Sequence, residues 1–138
     1  MNVVYNCHIP EVMGYPEKGY CFSRGEDAFL MWGGYFYDLM QAMWTVYGRE
    51  LDAERPDAPN LTQVPILAEW NTGNIGSSAP FLLSEPGKMA IAFREAVAAL
   101  GRAQPHLEES PIHGVALAEF LEQAATAGQW VCLEEWWD

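Results

Sequence analysis

The chain has 138 residues, half of them apolar, and sets nineteen Asp and Glu against seven Lys and Arg, for a formal net charge of −12. A field of that sign repels nucleic acid and anionic membrane and attracts basic partners. The length suits one domain around a single core, and six residues each of Trp, Tyr and Phe are too many for a disordered acidic chain, in which high charge accompanies low hydrophobicity.

Met1 to Pro10 has no basic start followed by a long apolar run, and no stretch of about 18 apolar residues occurs, so the sequence predicts a soluble, unexported protein without a membrane span. Cys7, Cys21 and Cys132 are odd in number and widely spaced, which fits a reducing cytoplasm better than a disulfide framework. A zinc site built from Cys7, His8, Cys21, His106 and His113 would lack the usual ligand pairs two to four residues apart. The thiols are therefore read as small buried hydrophobes, with no metal.

In chain order, Val3-Val4-Tyr5 and Tyr20-Cys21-Phe22, separated by Pro10, Gly14, Pro16 and Gly19, predict two short strands. Glu26 and Asp27 favour a helix N-terminus and Gly48 a helix end. Between them Phe29, Trp32, Phe36, Met40, Met43 and Tyr47 recur at spacings of three and four, and Tyr35, Leu39 and Val46 widen the apolar face. Only Asp38, Gln41 and Thr45 form a polar stripe, so the segment is expected to be the central helix, with Phe36 and Trp44 in the core. Gly33-Gly34 in its middle, at about 1 kcal/mol per glycine relative to Ala, points to close packing or to a break into two shorter helices.

Arg49 to Asn60 is polar, acidic and interrupted by Pro56 and Pro59, which predicts an exposed loop displaying Glu50, Asp52, Glu54 and Asp57. Val64-Pro65-Ile66-Leu67 suits either an edge strand or a short helix, and Asn71 to Ser78 reads as a loop whose glycines lack the Gly-Lys-Ser/Thr of a phosphate cradle. Ser84 as N-cap and Pro86 in the first turn open a second helix through Met89, Phe93, Ala96, Val97 and Leu100 to near Gly101. Ser110-Pro111 opens a third, with Val115, Leu117, Leu121 and Ala124 inside, Glu119 and Glu122 outside, and Gly128 as the stop. Trp130 to Leu133 is β-prone and returns the chain to a sheet before Glu134-Glu135-Trp136-Trp137-Asp138. The predicted fold is α+β: one domain over residues 1–138, with a small, mainly antiparallel sheet packed against about three helices. An all-α arrangement is the alternative.

No catalytic motif stands out. No Gly-x-Ser-x-Gly elbow surrounds any serine, and His106 and His113 fall in a proline-bounded loop where a solvated imidazole is expected. Acid pairs are inevitable among nineteen carboxylates, and spacing does not give the geometry that glycoside hydrolysis requires. No catalytic residue and no cofactor are expected. Lys18, Lys88 and the five arginines are scattered in a repulsive field, which excludes nucleic acid as a partner. The terminal Glu-Glu-Trp-Trp instead joins residues typical of interface hot spots to carboxylates that steer a basic partner.

In size, acidity, lack of catalytic motifs and its C-terminal Trp-Val-Cys-Leu-Glu-Glu-Trp-Trp-Asp, the chain resembles bacterial immunity proteins, the small cognate inhibitors of interbacterial toxins. The resemblance is general across the chain and carries over no named binding residue. It implies an intracellular protein that binds a toxin domain and covers its active site. On the residues themselves, the expected partner-binding set is Glu50, Asp52, Glu54 and Asp57 in the loop with Glu134, Glu135, Trp136 and Trp137 at the C-terminus. Two other readings stand beside it: a small enzyme or ligand-binding domain with an aromatic pocket over residues 29–47 that includes Asp38, and a scaffold subunit that buries spare aromatics against a second copy.

Overall fold

A computed structural model describes residues 1–47, 64–71, 75–77 and 79–137 of the chain. Seven strands occur among them: β1 (Asn2–Cys7), β2 (Glu11–Val12), β3 (Tyr15–Pro16), β4 (Gly19–Arg24), β5 (Asp27–Trp32), β6 (Phe81–Leu83) and β7 (Val131–Trp136). The helices are α1 (Gly33–Tyr47), α2 (Pro65–Asn71), α3 (Pro86–Ala103) and α4 (Glu109–Thr126). A five-stranded sheet runs in the order β1-β5-β4-β7-β6, and β2 and β3 form a separate small hairpin. Only β1 and β5 pair in parallel, so the architecture is α+β with a mainly antiparallel sheet.

The first correction falls in the aromatic segment. Asp27–Trp32 is a strand, and the helix begins at Gly33 rather than at Glu26 and Asp27. The chain turns from β4 to β5 through Gly25-Glu26, with Arg24 opposite Asp27 and Gly25 at φ 53°, a left-handed conformation in which a two-residue hairpin loop favours glycine. Gly33-Gly34 consequently lies at the start of α1 and not in its middle. A Cβ on Gly33 would meet the Lys18 carbonyl oxygen at 2.6 Å, so close packing accounts for that glycine.

The N-terminal region holds more strand than its two apolar runs suggest. Met13 and Gly14, at φ 53° and 85°, close the β2–β3 hairpin. Val64-Pro65-Ile66-Leu67 resolves as the entry to α2, where Pro65 occupies the first helical position and needs no backbone N–H. Glu85, not Ser84, flanks the start of α3, and it makes no side-chain cap. Likewise α4 begins at Glu109, one residue before Ser110. Gly128 at φ 68° does end the last helix, as its position predicts.

One large core lies between the sheet and the helices. Tyr20 and Phe22 of β4, Phe29 and Met31 of β5, and Val131 and Leu133 of β7 meet Phe36, Leu39, Met40 and Met43 of α1 and Phe93 of α3. Phe36, Leu39, Met40 and Met43 of α1 are fully buried, which keeps this helix in the core as expected, although Trp44 is only half-buried. Helices α1, α3 and α4 pack together at Gly114, where an added Cβ would meet Val97 Cγ2 at 2.5 Å and Leu39 Cδ2 at 2.7 Å. The opposite sheet face carries a smaller cluster of Cys21, Ala28 and Leu30, against which Trp136 packs.

Candidate functional site

β7 lies inside the sheet, bonded to β4 on one side and β6 on the other. Its alternation separates side chains that look contiguous in sequence. Glu135 pairs with Tyr20 of the core-facing set, whereas Glu134 pairs with Cys21 on the other face and Trp136 lies beside that cysteine's cluster. Glu134 is exposed and Trp136 is half-buried. Trp137, just beyond the strand, is 59 % exposed. Of the terminal tryptophans, one therefore covers the sheet and the other is free to touch a partner. Glu50, Asp52, Glu54 and Asp57 lie outside the described residues.

The end of β7 adjoins a cleft of 440 Å³. Gly19 sits between Trp32 of β5 and Trp136 of β7 in the sheet register, which brings the entry to β4 and the exits of β5 and β7 to one edge. Trp32, Tyr20, Phe36, Tyr37 and Trp70 supply aromatic wall, with Glu17, Lys18 and Ile75 completing much of the lining. Glu17 accepts a hydrogen bond from the Trp32 indole at 3.1 Å, which fixes the ring's orientation. Tyr37 and Trp70 meet edge to face with ring centroids 6.1 Å apart.

Lys18 donates to Glu135 at 3.2 Å and lies over the Tyr20 ring, 5.6 Å from its centroid. Burial works against its charge, but Tyr20 and Glu135 outweigh that and hold its pKa above the ordinary lysine value. Glu135 is thus committed to an internal ion pair, while Glu134 remains exposed to solvent. The sequence pattern of aromatics over residues 29–47 does contribute to the cleft, through Trp32, Phe36 and Tyr37. It does not reveal Glu17, Lys18 or Trp70, which come from elements brought in by the tertiary fold; the only local hint is Glu17-Lys18 immediately before the strand-opening Gly19.

Asp38 lies outside this cleft. It is half-buried and accepts a hydrogen bond from Ser110 Oγ at 2.7 Å, so the polar stripe of α1 is tied to α4 at one end, while Gln41 and Thr45 remain exposed. A second polar group surrounds His113, which stands within α4 and not in a loop. The Tyr5 hydroxyl lies 2.7 Å from His113 Nδ1, the Tyr35 ring packs on His113 at 4.7 Å, and the Tyr35 hydroxyl donates to Glu109 at 2.7 Å. Burial, seconded by Glu109, pushes the Tyr35 hydroxyl up to about 12. His106 is exposed, as a solvated imidazole should be.

The thiols are free, with Cys7 and Cys21 buried and Cys132 half-buried. Burial pushes Cys7 up to about 12 and, together with the charge of Glu134, Cys21 up to about 11. Both stay protonated near neutrality, which removes the thiolate a nucleophile needs. Among the described residues, no group of three or more His, Cys, Asp and Glu side chains is placed to hold a metal ion, and no helix is long and apolar enough to cross a membrane. Compared with known proteins, the chain matches no family model, no curated protein and no solved structure.

Proposed function

We propose that the protein is an acidic inhibitor of the immunity type, acting in the cytoplasm, which binds a basic toxin domain and occludes its active-site cleft. The observation that carries this reading is the presentation of Trp137: a large, 59 % exposed indole immediately after β7, whose last residues Glu134, Glu135 and Trp136 pair with β4, with Glu134 exposed three positions before it. An anchor held next to a paired strand end loses less conformational freedom on binding than one on a long loop, and exposed aromatic area of this kind is characteristic of interface hot spots. The net charge of −12 supplies long-range attraction to a basic surface and accelerates encounter.

The test asks whether an adjacent reading frame encodes a larger protein with a basic C-terminal domain, and titrates that domain into the protein by calorimetry. Tight binding that Trp137→Ala weakens at least about thirtyfold, through faster dissociation and with unchanged melting, supports the reading. Absence of binding, or equal affinity of the variant, overturns it. The aromatic cleft favours a second reading, a domain that binds a small molecule, because its volume of 440 Å³ lies within the usual range for ligand sites. Under that reading, an aromatic ligand would quench tryptophan fluorescence without any protein partner.

A further inference from the structure

We propose that the cleft beside β7 receives an arginine side chain from the basic partner, gripping its guanidinium between aromatic faces and the Glu17 carboxylate. The inference rests on the inhibitor reading and adds to it a second, chemically distinct contact point.

Three features favour a cation. First, the wall is mainly aromatic, and the negative faces of Trp and Tyr rings attract cations strongly once water is displaced. Second, Glu17 is held by a neutral donor, the Trp32 indole, and among the described residues it forms no ion pair, so its charge is available to a ligand. Third, the protein already places one of its own cations there. Lys18 rests over Tyr20 and is neutralised by Glu135, which shows the wall accepting an ammonium while leaving the field of Glu17 uncancelled.

Arginine fits this arrangement better than lysine. Its planar guanidinium is weakly hydrated, stacks on rings and offers paired donors that match a carboxylate, whereas a lysine ammonium is a compact and strongly hydrated point charge. The partner's chemistry follows from complementarity: a chain with net charge −12 selects a basic surface, on which arginines are plentiful. Trp137 follows the end of the same β7 whose Glu135 holds Lys18 of the cleft lining, which brings the exposed indole to the end of the sheet where the cleft opens.

The probe is N-acetyl-arginine methylamide, titrated into the whole protein while the indole N–H resonances of Trp32 and Trp70 are followed by NMR. Saturable shifts with millimolar affinity are expected, with the neutral isostere N-acetyl-citrulline methylamide at least about tenfold weaker. Glu17→Gln keeps an acceptor for the Trp32 indole but removes the charge, and Tyr37→Ala alters a 56 % exposed side chain. Each should weaken the arginine probe about fivefold or more with the melting temperature unchanged. No saturable shift up to about 50 mM, or equal binding of the citrulline analogue, overturns the inference. Partner binding with a silent cleft overturns this inference alone, whereas a responsive cleft without partner binding overturns the inhibitor reading and leaves a guanidinium site.

Discussion

Replacing Trp136 and Trp137 separately by alanine should divide stability from recognition. Trp136 packs over Cys21, Ala28 and Leu30, which are 1 %, 0 % and 5 % exposed although they lie on the sheet face opposite the helices. A fully packed indole buries about 150–250 Å², so a half-buried one gives roughly 100 Å² of apolar contact. At about 25 cal/mol per Å² its removal costs about 2.5 kcal/mol. With an unfolding entropy of about 2.1 cal/mol/K per residue over 138 residues, that corresponds to a fall of about 9 °C in Tm. Trp137, 59 % exposed and outside the strand, should change stability by no more than about 0.5 kcal/mol. Differential scanning calorimetry of both variants measures the contrast directly. A Trp136→Ala protein melting within about 2 °C of wild type would refute the assignment of that ring as the cover of the sheet.

Gly114→Ala should destabilise by about 1–3 kcal/mol in denaturant titration, because the new methyl group would press on Val97 and Leu39 where α1, α3 and α4 converge. His113 has its pKa lowered by burial, with Glu109 opposing, in a setting that also includes Tyr5 and Tyr35. The folded state then binds fewer protons than the unfolded state just below the ordinary imidazole value of about 6.5, so stability should fall as pH drops through that window. His113→Gln should flatten this dependence, as urea melts at a series of pH values would show. Converting Glu50, Asp52, Glu54 and Asp57 together to their amides should leave melting within a few degrees while partner association, followed by stopped flow, becomes slower and less sensitive to salt.

The two-layer character of the protein was legible because its longest amphipathic stretches, over α3 and α4, keep a clean helical period and end near Gly101 and at Gly128. β5 was hidden for a physical reason. Ala28 to Met31 are buried without alternation, since Ala28 and Leu30 on the outer face are covered by Trp136 while Phe29 and Met31 enter the core, and the period of two disappears. Spacings of three and four running through Phe29, Trp32 and Phe36 then mimic one long helix across a strand–helix junction. Gly25-Glu26, with β-prone runs on both sides, is the hairpin signal that would have corrected it.

The candidate site was less legible than the fold. Adjacency in Glu134-Glu135-Trp136-Trp137 suggested a single contact patch, whereas the pleat sends Glu135 to an ion pair, Trp136 onto the sheet, and leaves Glu134 and Trp137 outside. Those destinations depend on register with β4, which no local pattern specifies. His113 was missed as a packed residue for the same reason: its partners Tyr5 and Tyr35 are remote in sequence and meet it only when β1, α1 and α4 assemble.

The place of β7 in the sheet also has a kinetic consequence. This strand bridges β4 to β6, and its Glu135 is joined to Lys18 across 117 positions of chain. Pairings so distant in sequence close large loops before they return any contact energy, which makes them slow steps in assembly. Among the described residues β6 pairs with β7 alone, so its bonding in the sheet is not complete until β7 docks. Hydrogen exchange should therefore report the amides of Phe81–Leu83 and Val131–Trp136 opening as one cooperative unit, and Trp137 would lose its presentation in the same event.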